Sequence, residues 1–407
     1  MTYAKAHLVY PNHSFFVAQH HRNKWHNYTE ISNLKRTQVN IKKGIRIAGK
    51  YLLIFVGGFI TLSLIGLLIL HFKSPGKTEP FVDDNGETIN KSISTIERIE
   101  LGGIEQYMII GGIDSTKPVL LFLHGGPGSP ELGFVKKFNP NLEYDFVVVH
   151  WEQRGSGKSY NKNISIESMT IEQFISDTKE LSEHLIKRFN QDKIYIMGHS
   201  WGSYLGMKTI EKHPEFYHCY FGIGQVADQY RSERISYEWA KNQAEKKEDK
   251  KAMRKLEALD FPEINASSKE WIKFLMAERS YVDKFGGGLF RDYNGTLDKL
   301  LPVIKAQEYT LRDKINYGIG SLFSLKHLWD DVITDNLFET IDSVQIPVYF
   351  IHGVYDYQTS YIVAKEFYDQ LKAPEKQFFT FENSAHCPIF DEPDRFNKIL
   401  REIVTKE

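Results

Sequence analysis

The sequence contains a candidate nucleophilic serine, Ser200, in the stretch GHSWG from Gly198 to Gly202. An apolar run, KIYIM, precedes it and a segment with helical spacing follows, so Ser200 is expected at a sharp strand-to-helix turn. Such a turn admits only small residues two positions before and after the serine. A serine hydroxyl is a weak nucleophile until a neighbouring base takes its proton. Ser200 is therefore a candidate nucleophile that needs partners.

Two candidate partners follow later in the chain, each just after an apolar run. Asp356 follows PVYFIHG, and His386 follows KQFFTFEN. Taken singly, Asp356 could cap a helix near Ser360 and His386 could be a surface-loop residue. Together they have the order, acid and then histidine, that a nucleophile at a strand-to-helix turn requires in this arrangement. We predict a catalytic triad of Ser200, Asp356 and His386.

A glycine-rich turn, HGGPGSP from His124 to Pro130, directly follows the apolar run VLLFL. Glycines let the backbone approach a substrate closely and present its N–H groups. We predict that the N–H groups of Gly126 and Trp201 form an oxyanion hole, which stabilises the charge that develops during acyl transfer.

A second glycine-rich stretch, WEQRGSGKSY (residues 151–160), ends in the Gly-Lys-Ser of many phosphate-binding loops. Such a loop needs a further glycine five positions before Gly157, but Glu152 occupies that position and its carboxylate would repel phosphate. We therefore predict a structural loop and no nucleotide site. Arg154 is expected to bind neighbouring carbonyls or a carboxylate such as that of Asp177.

The elements that position these residues alternate between strands and helices. TIERIEL and EQYMIIGG predict an opening strand pair, and PVLLFLHGG and YDFVVVHW predict strands that are buried on both faces. The segment after Thr170 has helical spacing, with Gln173 placed to complete a capping box. Alternation of this kind predicts a mostly parallel sheet with helices on both faces. Between Gln225 and Ser343 the strand pattern disappears, which predicts a helical insertion.

Composition narrows the functional classes. Among 407 residues, 51 are Lys or Arg and 52 are Asp or Glu, so no net field favours nucleic acid. Cys219 and Cys387 are the only cysteines, which rules out a scaffold held together by several disulfides. Two free thiols are expected, with a single disulfide between them as the alternative. No Cys/His spacing is typical of zinc. We predict no metal, no cofactor and no nucleic-acid partner.

One segment, Leu52 to Leu70, contains no charged residue. As a helix it would span roughly 28 Å, close to the ~30 Å hydrocarbon core of a bilayer. A buried globular helix and a cleaved signal peptide are the alternatives. Basic residues are more frequent upstream, which predicts a cytoplasmic N-terminus and an extracytoplasmic catalytic domain. These upstream residues are Lys35, Arg36, Lys42, Lys43, Arg46 and Lys50.

Together HGGPGSP, WEQRGSGKS, GHSWGS, GVYD and SAHCP resemble the serine α/β-hydrolase superfamily, in particular its prolyl aminopeptidase (proline iminopeptidase) branch. The resemblance covers the chain from about Glu79 to its C-terminus, although Glu152 stands where the branch has aspartate. It implies an α/β-hydrolase fold with an inserted helical cap and a metal-free acyl-enzyme mechanism. In this branch acidic cap residues hold the substrate's free amino group, which makes Glu233 and Glu238 candidates; a solvated pair on a helix is the alternative.

The expected organisation has five parts. These are a polar and poorly ordered tail with a basic juxtamembrane segment (1–50), a transmembrane helix (51–72), a linker (73–95), a hydrolase core (96–224 and 344–407) and a helical cap (225–343).

Three functions remain open at this point. The leading one is a membrane-anchored serine aminopeptidase that acts on small peptides. The second is an esterase, lipase or other small-molecule acyl hydrolase with the same triad. The third is a tethered binding domain with a vestigial site. Labelling by a fluorophosphonate would exclude the third, and a comparison of aminoacyl-arylamides with acyl esters would separate the first two.

Overall fold

The structure is a computed structural model that describes residues 13–292 and 295–406. The chain divides into two compact units, one that ends at Leu70 and one that runs from His71 to Glu407.

The N-terminal part is a single long helix, α1 (His13–Phe72). The expectation of an irregular tail is wrong for residues 13–50, which are helical, and the first twelve residues lie outside the described part. No proline occurs between residues 13 and 72, so a helix nucleated in the apolar segment extends toward the N-terminus at little cost. Over Lys24–Phe72 the helix is long and apolar enough to cross a bilayer. Its most apolar window has a mean hydropathy of 2.7 and no buried residue, a test that a signal sequence also passes.

The second unit is built on one eight-stranded sheet with the order β1-β2-β4-β3-β5-β6-β7-β8. The first two strands pair antiparallel, β2 pairs antiparallel with β4, and the other neighbours are parallel. This confirms the predicted mostly parallel sheet. Its strands are β1 (Ile93–Leu101), β2 (Ile104–Gly112), β3 (Val119–Leu123), β4 (Val147–Glu152), β5 (Ile194–His199), β6 (Tyr217–Ile223), β7 (Val348–Gly353) and β8 (Lys376–Phe381).

Helices pack against both faces of the sheet and over its carboxyl edge. They are α2 (Leu132–Phe138), α3 (Leu142–Asp145), α4 (Ile171–Phe189), α5 (Trp201–Lys212), α6 (Gln229–Lys246), α7 (Lys250–Glu257), α8 (Ser268–Lys284), α9 (Thr296–Lys305), α10 (Leu311–Thr334), α11 (Leu337–Thr340), α12 (Tyr361–Gln370), α13 (Pro388–Asp391) and α14 (Pro393–Val404). Strands β3 to β7 are buried almost throughout, as their continuous apolar runs predict.

The N-terminus of α4 differs in one detail from the expectation. The Thr170 side chain accepts a hydrogen bond from the backbone N–H of Gln173. The Gln173 amide, however, donates to Asp177 instead of returning to Thr170. The predicted capping box is therefore only half formed, because a buried carboxylate competes for the glutamine.

Apart from isolated β-bridges such as Asp228–Asn336, the elements described between β6 and β7 are helices, from α6 to α11. We call this segment the helical insertion. It falls within the predicted range 225–343. Three of its helices, α6, α8 and α10, reach the carboxyl edge of the sheet, where the candidate catalytic residues lie.

Candidate active site

Ser200 lies between the end of β5 and the start of α5, in a backbone conformation with φ 55° and ψ −121°. A non-glycine residue with positive φ is uncommon and costs free energy, so the surrounding structure must impose it. The two flanking glycines show why the turn is possible. A Cβ on Gly198 would lie 2.2 Å from the carbonyl oxygen of Gly202, and one on Gly202 would lie 2.0 Å from that of Leu123.

Asp356 and His386 are hydrogen-bonded, with 2.8 Å between Oδ2 and Nδ1. The other carboxylate oxygen of Asp356 accepts the backbone N–H groups of Gln358 and Thr359, both at 2.9 Å. The Thr359 hydroxyl donates to Oδ2 at 2.8 Å, and His352 Nε2 lies 3.0 Å from the same atom. The carboxylate is thus held by four groups besides the histidine, which fixes the direction in which it presents an acceptor.

Electrostatics favour a neutral His386 that is paired with an ionised Asp356. Burial lowers the pKa of His386 below its ordinary value, although the Asp356 carboxylate opposes this. Burial alone would raise the pKa of Asp356, but His386 and the hydrogen bond from His352 hold it well below its usual range. A neutral imidazole with Nδ1–H on a carboxylate leaves Nε2 as a free base.

The end of β6 brings Ser200 and His386 to the same place. The backbone N–H of Ser200 donates to Ile223 O at 2.9 Å. The next residue, Gly224, has φ +52°, and a Cβ there would lie 2.9 Å from Nδ1 of His386. Ser200 thus lies beside Ile223, and His386 lies beside the next residue, Gly224. Because His386 also binds Asp356, all three predicted triad members meet at this edge of the sheet.

Gly126 adopts φ +122°, a conformation that only glycine tolerates readily. Together with Ser200 and Trp201 it lines one side of a cavity of about 190 Å³. The predicted oxyanion-hole residues therefore face the same space as the nucleophile. The remaining wall is mostly apolar and includes Leu275, Leu325, Trp329 and Val332 from the helical insertion and Val226 from the end of β6.

Gln153, which the sequence did not single out, joins the two sides of the predicted oxyanion hole. Its side-chain oxygen accepts the indole N–H of Trp201 at 2.8 Å, and its amide nitrogen donates to His124 O at 3.3 Å. Its backbone N–H also lies 3.2 Å from Nε2 of His124. The glycine-rich loop that follows β4 therefore supports the HGGPG turn.

The neighbouring Arg154 behaves as predicted. Its guanidinium donates to both carboxylate oxygens of Asp177, at 3.0 and 3.1 Å, and to the carbonyls of Leu101 and Gly102. Both side chains of the pair are fully buried. The prediction that Arg154 binds carbonyls and Asp177 is confirmed.

The Gly-Lys-Ser end of this loop has its polar groups engaged within the protein. The backbone N–H of Lys158 donates to the Glu152 carboxylate, and its ammonium donates to Glu308 O and to Asp313, both at 2.7 Å. A Cβ on Gly157 would collide with Glu152. The groups that would cradle a phosphate thus bind carboxylates and a carbonyl.

A second pair that sequence reasoning missed lies beneath the site. One oxygen of Glu131 accepts the Gly125 N–H at 3.0 Å and lies 2.7 Å from Nδ1 of His199. The other imidazole nitrogen of His199 lies 3.1 Å from His386 O. Burial would lower the pKa of His199, but the Glu131 carboxylate raises it. The pair therefore links the HGGPG turn, the GHSWG turn and the candidate catalytic histidine, His386.

The two candidate substrate-binding glutamates have different surroundings. Glu233 is fully buried in α6, where it contacts Arg279 and accepts the amide of Gln229 at 2.7 Å. Burial raises the pKa of Glu233 to about 7, although Arg279 lowers it. Glu238 is 56% exposed and pairs with Lys241, so the structure does not bring it to the cavity. Because Glu238 lies on the outer face of α6, Glu233 is the remaining candidate for binding the substrate's amino group.

Glu233 itself does not line the cavity; Gln229 and Arg279 do. The side-chain oxygen of Gln229 is buried and has no hydrogen-bond partner among the residues that the structure describes. Because its amide nitrogen is held by Glu233, the glutamine keeps an unused acceptor beside the nucleophile.

Comparison with known proteins gives a consistent result. Residues 118–393 match the family model described as alpha/beta hydrolase fold. Probable aminopeptidase YbaC of Bacillus subtilis (strain 168) is 36% identical over 312 residues, which cover 76% of this chain and 96% of that protein. A proline iminopeptidase of Clostridioides difficile (strain 630) is 24% identical over 313 residues, 73% of this chain and 92% of that protein. The crystal structure of a Mycobacterium smegmatis proline iminopeptidase shares the fold, with a TM-score of 0.56 at 16% identity over 77% of this chain and 98% of that one.

Proposed function

The chain belongs to the alpha/beta hydrolase family, and from that premise we propose that it is a membrane-anchored serine aminopeptidase that releases the N-terminal residue of small peptides. The observation that carries the proposal is the His386–Asp356 hydrogen bond beside the strand end that also accepts the Ser200 amide. The 36% identity to a probable aminopeptidase supports peptides as the substrate class.

The mechanism follows from the protonation states. His386, held neutral with its Nδ1–H on Asp356, takes the proton of Ser200 as the hydroxyl oxygen attacks the scissile carbonyl. The resulting imidazolium is stabilised by the ionised Asp356 and then protonates the leaving amine. Water activated by the same histidine hydrolyses the acyl-enzyme and regenerates Ser200.

The tetrahedral intermediate places a negative charge on the former carbonyl oxygen. The backbone N–H groups of Gly126 and Trp201 would stabilise it, because both residues line the cavity beside Ser200. Gln153 holds the Trp201 indole and the carbonyl of His124, so the donors are preorganised before substrate binds.

Recognition of a free amino terminus would depend on Gln229 and Glu233. The unused oxygen of Gln229 accepts an N–H of the substrate ammonium, while Glu233 behind it orients the amide and supplies negative charge. At about 190 Å³, the cavity is smaller than the roughly 300–1,000 Å³ of sites for drug-sized ligands, so it suits one small apolar residue such as proline.

The proposal is tested with the full chain in detergent. Ser200→Ala should abolish both fluorophosphonate labelling and hydrolysis of prolyl-arylamide, because no other group replaces the nucleophile. Wild-type activity in this variant would overturn the triad assignment.

The proposed recognition of the substrate's amino group is tested by two variants on α6, one at Glu233 and a matched control at Glu238. Glu233→Gln should raise KM for prolyl-arylamide about tenfold or more, since a positioned charge contributes at least ~1.4 kcal/mol. Glu238→Gln removes an exposed carboxylate of the same helix and should leave KM unchanged. Equal effects of the two substitutions would exclude Glu233 from amine recognition.

An acyl-ester hydrolase of small substrates is the second candidate function, favoured by the apolar wall of the cavity. The discriminating measurement is kcat/KM for prolyl-arylamide against a short acyl ester of the same leaving group. Preference for the ester, with no benefit from a free amino group, would support this second candidate instead.

We further propose that α1 spans the bilayer with its basic N-terminal part in the cytoplasm and the catalytic unit outside. The uncharged segment from Leu52 to Leu70 and the basic residues before it support this orientation. Protease added to intact cells should degrade the catalytic unit and spare an N-terminal tag. Degradation of the tag alone would reverse the orientation, and release of the catalytic unit by alkaline carbonate would exclude a spanning helix.

A further inference from the structure

The outer face of α10 presents an apolar stripe that no part of the described chain covers. Ile315, Ile319 and Leu322 are 56%, 46% and 56% exposed. Their spacing of four and three residues places them on one helix face. Isolated exposed apolar residues are ordinary, but a continuous stripe indicates a surface that contacts a partner or a membrane.

The preceding helix extends this apolar surface. Leu300 and Ile304, four residues apart on α9, are 49% and 39% exposed. The two helices are linked at their junction, because the Lys314 ammonium donates to Ile304 O at 2.6 Å. We call these five side chains, on α9 and α10, the apolar face of the insertion.

Basic residues flank the apolar face. Arg312 and Lys326 are exposed at the two ends of the α10 stripe, and Lys305 is exposed at the end of α9. A rim of this composition around an apolar stripe is typical of surfaces that lie in the interface of an anionic bilayer.

The linker that follows α1 is fixed to the same junction. The Lys314 ammonium donates to the Ser74 hydroxyl at 2.6 Å. The backbone N–H groups of Gly76 and Lys77 donate to Gln307 O, at 2.9 and 3.2 Å. Residues 74–77, which directly follow α1, are therefore bound to the turn between α9 and α10.

We propose that the apolar face of the insertion docks on the surface of the bilayer that α1 spans. The inference rests on the proposed membrane span, because Ser74 is two residues beyond Phe72 and two residues extend at most about 7 Å. A linker that leaves the membrane at Phe72 and is fixed at Ser74 keeps the α9–α10 turn at headgroup depth. The apolar stripe then enters the interface, and the basic rim contacts anionic headgroups.

Docking would couple the bilayer to the active site through α10. Farther along the same helix, Leu325 and Trp329 continue the spacing of the stripe and line the cavity. Its Ser321 hydroxyl donates to Gly128 O at 2.6 Å, within the HGGPGSP turn. A helix with one face in the interface and the other against the oxyanion turn places the cavity next to the membrane, which favours peptides that partition to the bilayer surface.

The test uses the full chain in vesicles of phosphatidylcholine and phosphatidylglycerol that contain a doxyl-labelled lipid. A single cysteine carrying an environment-sensitive fluorophore is introduced by Ile319→Cys; the native cysteines are buried and do not compete. Ile362→Cys, on α12, is the matched control because it replaces an equally apolar side chain that is 55% exposed. Leu62→Cys reports on the span itself.

Docking predicts that doxyl lipid quenches the label at 319 at least about twofold more than the label at 362, while the label at 62 is quenched strongly. Quenching at 62 with equal, weak quenching at 319 and 362 would overturn docking and leave the span intact. Lack of quenching at all three positions would overturn both. A label at 319 that is shielded from a water-soluble quencher but not reached by doxyl lipid would mean that protein, such as a second copy, covers the face, which also overturns docking.

Discussion

The buried pair of Arg154 and Asp177 gives a sharp test of how the loop after β4 is held. We predict that Asp177→Asn, which preserves the shape of the side chain, strongly destabilises the catalytic unit. The carboxylate accepts four hydrogen bonds, two from Arg154 and one each from Gln106 and Gln173. An asparagine keeps one acceptor oxygen and turns an N–H₂ group toward the remaining donors.

The magnitude follows from burial. Both side chains are 0% exposed, so the substitution leaves an uncompensated guanidinium in the interior. Breaking a buried pair in this way costs about 3–5 kcal/mol. Arg154 keeps three other acceptors, namely the carbonyls of Leu101 and Gly102 and the hydroxyl of Ser168, which favours the lower end of that range.

The assay is urea unfolding of the full chain in detergent, followed by the fluorescence of buried tryptophans such as Trp151 and Trp201. Glu105→Gln is the control, because it breaks an ion pair with Arg98 whose side chains are 55% and 64% exposed. That substitution should change the free energy of unfolding by less than about 1 kcal/mol.

A double variant completes the test. Replacing both members of the buried pair with apolar residues, Arg154→Met and Asp177→Leu, should recover a large part of the lost stability, since no charge is then left unpaired. A loss below about 1 kcal/mol for Asp177→Asn would refute the reasoning. A double variant that is less stable than the single one would show that Arg154 acts chiefly through the carbonyls.

Three further predictions concern the candidate catalytic residues and their supports. Gly202→Ala should eliminate fluorophosphonate labelling, because its Cβ would lie 2.0 Å from Leu123 O; normal labelling would contradict the tight turn. Glu131→Gln should lower kcat about 10–100-fold with little change in KM, since the His199 pair positions the catalytic groups without contacting substrate; a change confined to KM would contradict a positioning role. Because burial lowers the pKa of His386, its basic form persists below pH 6.5, and kcat/KM should fall only at lower pH; an acid limb centred above pH 7 would contradict this.

Much of the fold was predictable because its signals are local. The inner strands are buried on both faces, so they appear in the sequence as largely apolar runs, such as those of β3, β5 and β7. Gly198 and Gly202 lie within five residues of chain and mark the position of Ser200 in the sequence, although the contact that excludes a side chain at Gly202 is with Leu123 on another strand. Asp356 and His386 were identifiable because each directly follows such a run.

The support around these residues was not predictable in the same way. Glu131 and His199 are 68 positions apart in the chain, and Gln153 and Trp201 are 48 apart. Nothing in the sequence near Glu131 distinguishes it from a surface glutamate, because its role depends on a fold that brings three turns together. The helical conformation of residues 13–50 was missed because these polar residues lack amphipathic periodicity and extend, toward the N-terminus, the apolar helix that the sequence did predict over residues 51–72.

The stretch WEQRGSGKSY shows how one sequence can resemble a ligand site and serve another purpose. Gly157 has φ +46°, as a tight loop requires, yet the space that a phosphate would need is occupied by the Glu152 carboxylate. The same loop extends Arg154 to Asp177 in α4 and Gln153 to Trp201 at the start of α5. Two adjacent residues thus provide a buried ion pair, through Arg154, and an amide beside the predicted oxyanion hole, through Gln153. Consequently, breaking the Arg154–Asp177 pair should also loosen the hydrogen bond between Gln153 and Trp201. We therefore expect Asp177→Asn to lower kcat as well as the free energy of unfolding.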